Sequence, residues 1–268
     1  MTTLVKKLLD MKGRNCLITG ATGHCGKEIT FALSELGSDV ILLDHPNSKL
    51  LEFSNEITNK FGNKVTPFFC DLENAAEIEK ISININKHFK NLDVLINNAA
   101  FVGTSDLEGW STSFENQSLE TWKRALDINL TACFQIVQSS KNLLEKSQYA
   151  SVINIGSIYG LYGPDMSIYE GTGLNNPAAY SASKGGLIQL TRWLSTVLAP
   201  KVRVNCISPG GILRNQPEKF VKRYVNKTPL KRMGSESDIV GAVVYLASDL
   251  SSWVTGQNLI VDGGWGVW

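Results

Sequence analysis

The sequence predicts a doubly wound α/β fold, with one parallel sheet of about seven strands and helices on both of its faces. Two observations carry the prediction. Short apolar runs alternate with stretches of helical period along the whole chain, the signature of repeated strand–helix–strand units. The first run ends in Gly20-Ala-Thr-Gly23-His-Cys-Gly26 and passes directly into a helical stretch. Such a sheet is buried on both faces, and ligands bind beyond the carboxyl ends of its strands.

The elements follow in order. Asn15–Thr19 reads as a strand. Cys25, Ile29, Ala32, Leu33 and Leu36 then fall at helical spacing until Gly37 closes the helix. Asp39 to Leu43 is the second strand and ends at Asp44. Leu50 to Phe61 reads as a helix, Lys64 to Phe69 as a strand, and Cys70-Asp71-Leu72 as the next loop. Ile78, Ile81, Ile85 and Phe89 mark a helix over 75–89. Asp93–Asn97 is a strand that runs into Asn98-Ala99-Ala100. A polar stretch, 103–118, surrounds Trp110, and long loops of this kind often border sites. Residues 119–145 read as one long helix with Trp122, Ala125, Leu126, Asn129, Cys133, Ile136 and Val137 on one face. Asn129 is the polar exception, and a buried asparagine needs partners.

Val152–Gly156 is a strand that delivers Ser157 at its carboxyl end. Loop 158–177 follows, carrying Tyr159, Tyr162 and Tyr169, and Pro177 suits the first turn of the next helix. That helix carries Tyr180 and Lys184, with Leu187, Leu190, Leu194 and Leu198 on its apolar face. Val202–Ile207 is a strand ending at Pro209-Gly210-Gly211. The charged stretch 214–232 suits a lid. Ser235 and Asp238 form a capping box before a helix over 239–248. Asn258–Val261 is the last strand. With no repeat and no domain boundary, residues 1–268 read as one domain.

Composition excludes several classes. The net charge of +1 gives no electrostatic footing for nucleic acid or an anionic membrane. Cys16, Cys25, Cys70, Cys133 and Cys206 are scattered and odd in number, which suits small buried residues in a reducing compartment rather than disulfides or a metal site. No run has signal-peptide or membrane-span character, so the expected location is the cytoplasm.

The chemistry starts from two constellations. In strand, glycine loop, helix, strand and acid, the glycines let the backbone approach a pyrophosphate on the helix N-terminus. Asp44, 24 residues beyond Gly20, is placed for the adenosine ribose hydroxyls. In the second, Tyr180 and Lys184 stand four apart and share a helix face. An ammonium near a phenol favours the phenolate, drawing the tyrosine pKa down from about 10, which suits a general acid or base for an alcohol/carbonyl pair. By itself this pair reads first as an ordinary Tyr/Lys pair on a solvated helix face, and Asn129 reads equally as a tie for a neighbouring backbone.

Thr19-Gly20 with its glycine loop, Asp71, Asn97-Asn98-Ala99, Asn129, Ser157, Tyr180-x-x-x-Lys184, Pro209-Gly210 and Gly256–Gly264 stand in one order over nearly the whole chain. In this the sequence resembles the short-chain dehydrogenase/reductase family, single-domain branch, with its Rossmann fold. The resemblance implies an NAD(P)-dependent oxidoreductase acting on a small-molecule secondary alcohol or ketone. The cofactor half would span about 13–150, and the catalytic and substrate half about 151–268. Tyr180 would exchange a proton with the substrate oxygen, which Ser157 would hydrogen-bond. Lys184 would hold the nicotinamide ribose, and Asn129 a water that relays protons through Lys184. Gly20, Thr22, Gly23, Cys25, Gly26, Asp44, Asp71, Leu72, Asn98, Ala99, Pro209, Gly210 and Ile212, with Tyr180 and Lys184, would contact the cofactor. No metal is implied. Dimers or tetramers are common in the family, built on the helices near 119–145 and 178–199, and a homotetramer is expected here.

Four departures stand out. His24 occupies the position where the single-domain branch usually has its middle glycine. Ala100 replaces the glycine after Asn-Asn-Ala. Ser157 and Tyr180 are 23 residues apart, longer than usual. Arg214 stands in place of a threonine; it either meets a phosphate or carboxylate or points to solvent. Trp110, Tyr159, Tyr169 and Arg214 are the expected substrate-lining residues. Asp44 favours NAD over NADP, because a carboxylate repels a 2′-phosphate. A second reading is a sugar- or sugar-nucleotide-modifying enzyme of the same family, since the glycine spacing resembles the extended branch. The stretches around Ser157, Gly171 and Asn215-Gln216-Pro217 also resemble enzymes of bacterial surface-sugar and flagellin-glycosylation pathways. A non-catalytic dinucleotide-binding regulator is the third. An extended-branch epimerase is disfavoured by length, and an enoyl reductase by the Tyr–Lys spacing. The aromatic tail Trp265-Gly-Val-Trp268 suits packing on a neighbouring subunit or over the site.

Overall fold

The computed structural model describes residues 3–102 and 107–268; the start of the predicted polar loop, 103–106, lies outside the described residues. Seven strands form one parallel sheet: β1 (Asn15–Thr19), β2 (Asp39–Asp44), β3 (Val65–Phe69), β4 (Val94–Asn97), β5 (Ser151–Ile155), β6 (Arg203–Pro209) and β7 (Asn258–Val261). Their order is β3-β2-β1-β4-β5-β6-β7, so the connections reverse direction between β1 and β4. That reversal opens a crevice at the carboxyl edge.

The strands' alternating sides explain the two-layered core. A short helix, α1 (Leu4–Leu8), precedes the sheet; Cys16, Ile18, Val40, Leu42, Ile96 and Ile153 face helices α2 (His24–Glu35), α3 (Leu50–Phe61) and α9 (Val240–Ala247). Leu17, Ile41, Leu43, Leu95, Val152 and Val204 face α4 (Ala75–His88), α6 (Ala132–Leu144) and α7 (Ala178–Leu198). The period of two puts successive residues on opposite faces, and helices cover both. Pro67 sits in β3, an edge strand paired only with β2, where the missing N–H costs least.

The predicted long helix is continuous but not uniform. It runs as α5 (Leu119–Leu126), a π turn at Asp127–Thr131, and α6. Trp122 departs from the predicted apolar face: it is exposed, while Thr121 is buried in its stead. Pro177 is the N-cap of α7 rather than its first helical residue. The charged stretch 214–232 contains a helix, α8 (Glu218–Lys227), seated on a third apolar cluster: Phe220 and Tyr224 of α8 with Ile158, Ile168, Tyr169, Met233 and Trp265. Within the tail, Trp265 packs in its own chain, while Val267 and Trp268 stay exposed. Trp265 is buried and stacks on Tyr224, and Trp268 Nε1 donates to the Lys227 carbonyl at 2.7 Å. The predicted capping box is present, with Ser235 and Asp238 bonded reciprocally.

All five cysteines are free. Burial pushes the thiols of Cys16 and Cys70 up to about 12 and those of Cys133 and Cys206 to about 11. Among the described residues no helix is long and apolar enough to cross a membrane, and no three His, Cys, Asp or Glu side chains gather as a metal site.

Candidate active site

A cavity of about 600 Å³ opens along the carboxyl ends of the strands, at the switch point. It brings together Gly20, Thr22, Gly23, Cys25, Asp44, Asp71, Leu72, Asn98, Ala99, Ser157, Tyr159, Tyr180, Lys184, Pro209, Gly210, Ile212 and Arg214. Residues from 20 to 214 in the chain thus share one wall because the strand ends that carry them lie side by side.

At one end the glycine loop is built by close backbone approach. Gly20 has φ +63°, and a Cβ there would stand 2.8 Å from the Ala99 Cα. A Cβ on Gly26 would lie 2.0 Å from the Gly20 carbonyl oxygen, so Gly26 acts beneath the loop rather than on the cavity wall. Asn98 locks β4 to the loop: its Nδ2 donates to the carbonyls of Thr19 and Gly20, both at 3.0 Å. Asp44 Oδ2 accepts from the Thr22 N–H at 2.7 Å and the Thr22 hydroxyl at 2.8 Å. The acid thus fixes the loop as well as facing the cavity. Gly23 caps α2 without a side-chain acceptor, leaving the first N–H groups of the helix for an anion.

At the other end stand Ser157, Tyr180 and Lys184. Ser157 stands two residues past the end of β5, after Gly156, and its Oγ accepts from the Tyr159 N–H at 3.2 Å. Lys184 is only 2 % exposed, and its Nζ donates to the carbonyl of Ile155 at 2.7 Å. No carboxylate of the described residues pairs with it. A buried ammonium has three donors, and a single carbonyl leaves two for ligand oxygens. That ammonium lies 5.9 Å from the Tyr180 ring centre. The glycine cradle, the free helix N-terminus and this lysine together fit a nicotinamide dinucleotide.

Asn129 lies in the π turn with its side chain committed to structure. Oδ1 accepts from the Phe101 N–H at 2.7 Å, and Nδ2 donates to the Phe101 carbonyl at 3.2 Å and to Ser183 Oγ at 3.0 Å. Ser183 in turn donates to the Tyr180 carbonyl. The side chain therefore ties a strand-end loop to the helix of Tyr180 and does not line the cavity. Asn129→Leu strands the Phe101 and Ser183 groups, and about 3 kcal/mol of unfolding free energy is expected to be lost in urea titration. A loss under 0.5 kcal/mol would refute the tie.

Two predicted lining residues lie elsewhere. Trp110 is buried among Phe101, Ala125 and Ala179, its Nε1 donating to the Val102 carbonyl at 2.7 Å. A large apolar ring on a polar loop folds under that loop. Tyr169 stands behind Tyr159, their hydroxyls 2.6 Å apart. Burial, with Tyr169 close by, holds the Tyr159 phenol protonated well above its ordinary range. Arg214 does line the cavity, but Cys25 and His24 are its neighbours there: burial raises the Cys25 thiol, and the Arg214 charge opposes the rise. Sequence reasoning passed over His24 and Gln216 as lining residues; both adjoin residues it singled out.

Comparison with known proteins agrees with this geometry. Residues 20–266 match a family model described as enoyl-(acyl carrier protein) reductase. The chain is 31 % identical over 261 residues to 3-oxoacyl-(acyl-carrier-protein) reductase FabG of Aquifex aeolicus, covering 96 % of this chain and 98 % of the relative. It is 28 % identical to post-translational flagellin modification protein A of Campylobacter coli, covering 96 % and 100 %. A short-chain dehydrogenase of Leptospira borgpetersenii, solved with NAD+ bound, superposes with a TM-score of 0.84 at 34 % identity, covering 99 % of this chain and 96 % of that one. The chain belongs to the short-chain dehydrogenase/reductase family. It is an NAD(P)-dependent oxidoreductase.

Proposed function

We propose that the protein interconverts a secondary alcohol and a ketone with NAD as its preferred cofactor. The observation that carries this reading is Lys184: a buried ammonium with one carbonyl partner, one helical turn from Tyr180, in the cavity that also holds Ser157. The dinucleotide, when bound, supplies or accepts the hydride. Tyr180 holds the proton and passes it to or from the substrate oxygen at its phenolic oxygen. Ser157 donates a hydrogen bond to that oxygen, and Lys184 offers its two remaining donors to the cofactor ribose. Pro209, Gly210 and Ile212 pack the nicotinamide end, and Asp71, Leu72, Asn98 and Ala99 the adenosine end.

Asp44 carries the cofactor preference. Its carboxylate stands at the end of β2, where a 2′-phosphate would meet like charge in a half-buried setting. NADH is expected to bind at least tenfold more tightly than NADPH in a nicotinamide-fluorescence titration, and Asp44→Ser to narrow the gap. A tighter NADPH titration would reverse the assignment to NADP.

A sugar or another polyhydroxylated molecule is the substrate class we favour second, on two observations. One is the likeness to the flagellin modification protein. The other is the Tyr159 hydroxyl, fixed by Tyr169 at the cavity wall, which offers a hydrogen bond to a substrate hydroxyl.

A further inference from the structure

Two residues far apart in the chain meet in space: His24 of the glycine loop and Arg214, 190 positions later, in the segment after Pro209-Gly210. Both line the same end of the cavity. Both approach one oxygen of Glu236: Arg214 Nε lies 3.1 Å from Oε1, and His24 Nδ1 lies 3.8 Å from it.

The segment bearing Arg214 is held in place. Ile212 bridges to Gly234, the Leu213 N–H donates to the Gly234 carbonyl at 2.8 Å, and the Gly234 N–H donates to the Gly211 carbonyl at 2.9 Å. Gln216 closes the turn, accepting from the Arg214 N–H at 2.7 Å and donating to the Ile212 carbonyl at 2.8 Å. Glu236 then takes Nε, the side edge of the guanidinium. The two terminal nitrogens bond no oxygen of the described residues, and the guanidinium stands within reach of the Cys25 thiol. Next to them lie Cys25 and the uncapped N-terminus of α2.

We propose that Arg214 and His24, joined through Glu236, form a clasp over the cofactor diphosphate, and that Arg214 is a cofactor-binding residue rather than a substrate-binding one. The proposal deepens the dinucleotide reading and rests on it. A guanidinium whose Nε is already committed presents its terminal nitrogens as a planar fork, the geometry that matches two phosphate oxygens. The helix N-terminus supplies N–H donors to the same group. Glu236 holds the lid base against the glycine loop, so the ligand is gripped from two elements that are distant in sequence.

The test compares ligand fragments on the full-length protein by calorimetric titration with adenosine, ADP and NADH, for the native chain, Arg214→Thr and Arg214→Lys. Arg214→Thr is expected to weaken ADP and NADH binding about tenfold, the size of one charge-assisted contact at a half-exposed site. Adenosine affinity should stay unchanged, which also shows that the variant is folded. Arg214→Lys should fall between, keeping the charge and losing the fork. Unchanged ADP and NADH affinities in Arg214→Thr would overturn the clasp while leaving the dinucleotide reading intact. A change confined to substrate KM would return Arg214 to the substrate. Failure of the native chain to bind ADP or NADH would sink both.

Discussion

Tyr180→Phe is expected to lower kcat about a thousandfold while leaving the NADH dissociation constant within twofold of the native value. The substitution removes one oxygen and keeps the ring, so packing against the cluster of Trp110, Ala125 and Ala179 is preserved. What goes is the group proposed to carry the substrate proton, and positioned acid–base catalysis contributes roughly a hundredfold to ten-thousandfold. Lys184 is untouched and still donates to the Ile155 carbonyl, so the cofactor's site stays intact. Steady-state rates with parallel fluorescence titration read the two effects separately. A variant with full turnover would remove Tyr180 from the chemistry, and one that loses NADH binding would make it a cofactor residue first.

Gly26→Ala is expected to cost about 3 kcal/mol of stability and, for a chain of this size, on the order of 6–12 °C in melting temperature. The added Cβ would meet the Gly20 carbonyl oxygen at 2.0 Å, with Ala21 Cα and carbonyl carbon at 3.0 Å. All three are backbone atoms, so no side chain can rotate aside. α2 must back away from the loop, and the diphosphate cradle goes with it; NADH affinity should fall with stability. Gly23→Ala provides the contrast. Gly23 has φ −65°, which any residue adopts, and its Cβ would stand 3.2 Å from that same oxygen. It should cost less than half as much. Equal melting temperatures for the two variants would refute close approach as the reason for Gly26.

Much of the Ser157–Tyr180–Lys184 end of the cavity was legible from residue order alone. Ser157, Tyr180 and Lys184 sit within a turn or two of well-marked element ends, and a buried parallel strand announces its end by where its apolar run stops. The same holds for Asp44, which closes β2. The failures share a different origin. Trp110, Tyr169 and Trp122 lie on loops or helix surfaces whose partners come from elsewhere in the chain. Trp110 stands alone in a polar stretch, the pattern of a lining residue, yet it is buried because Phe101, Ala125 and Ala179 converge on it. In the Trp265–Trp268 tail, Trp265 stacks on Tyr224 of α8 and Trp268 Nε1 donates to the Lys227 carbonyl.

The sequence by itself determined the order of strands and helices, the single parallel sheet, the glycine loop and the residues at the strand ends, because each depends on local period, turn chemistry and burial of both sheet faces. Only the tertiary structure decided that Asn129 spends its amide on Phe101 and Ser183, that Tyr169 stands behind Tyr159, and that Arg214 faces His24 across Glu236. Those are pairings between segments far apart along the chain. Their geometry is set by how the sheet's order brings strand ends and lid together, and no local pattern encodes that distance.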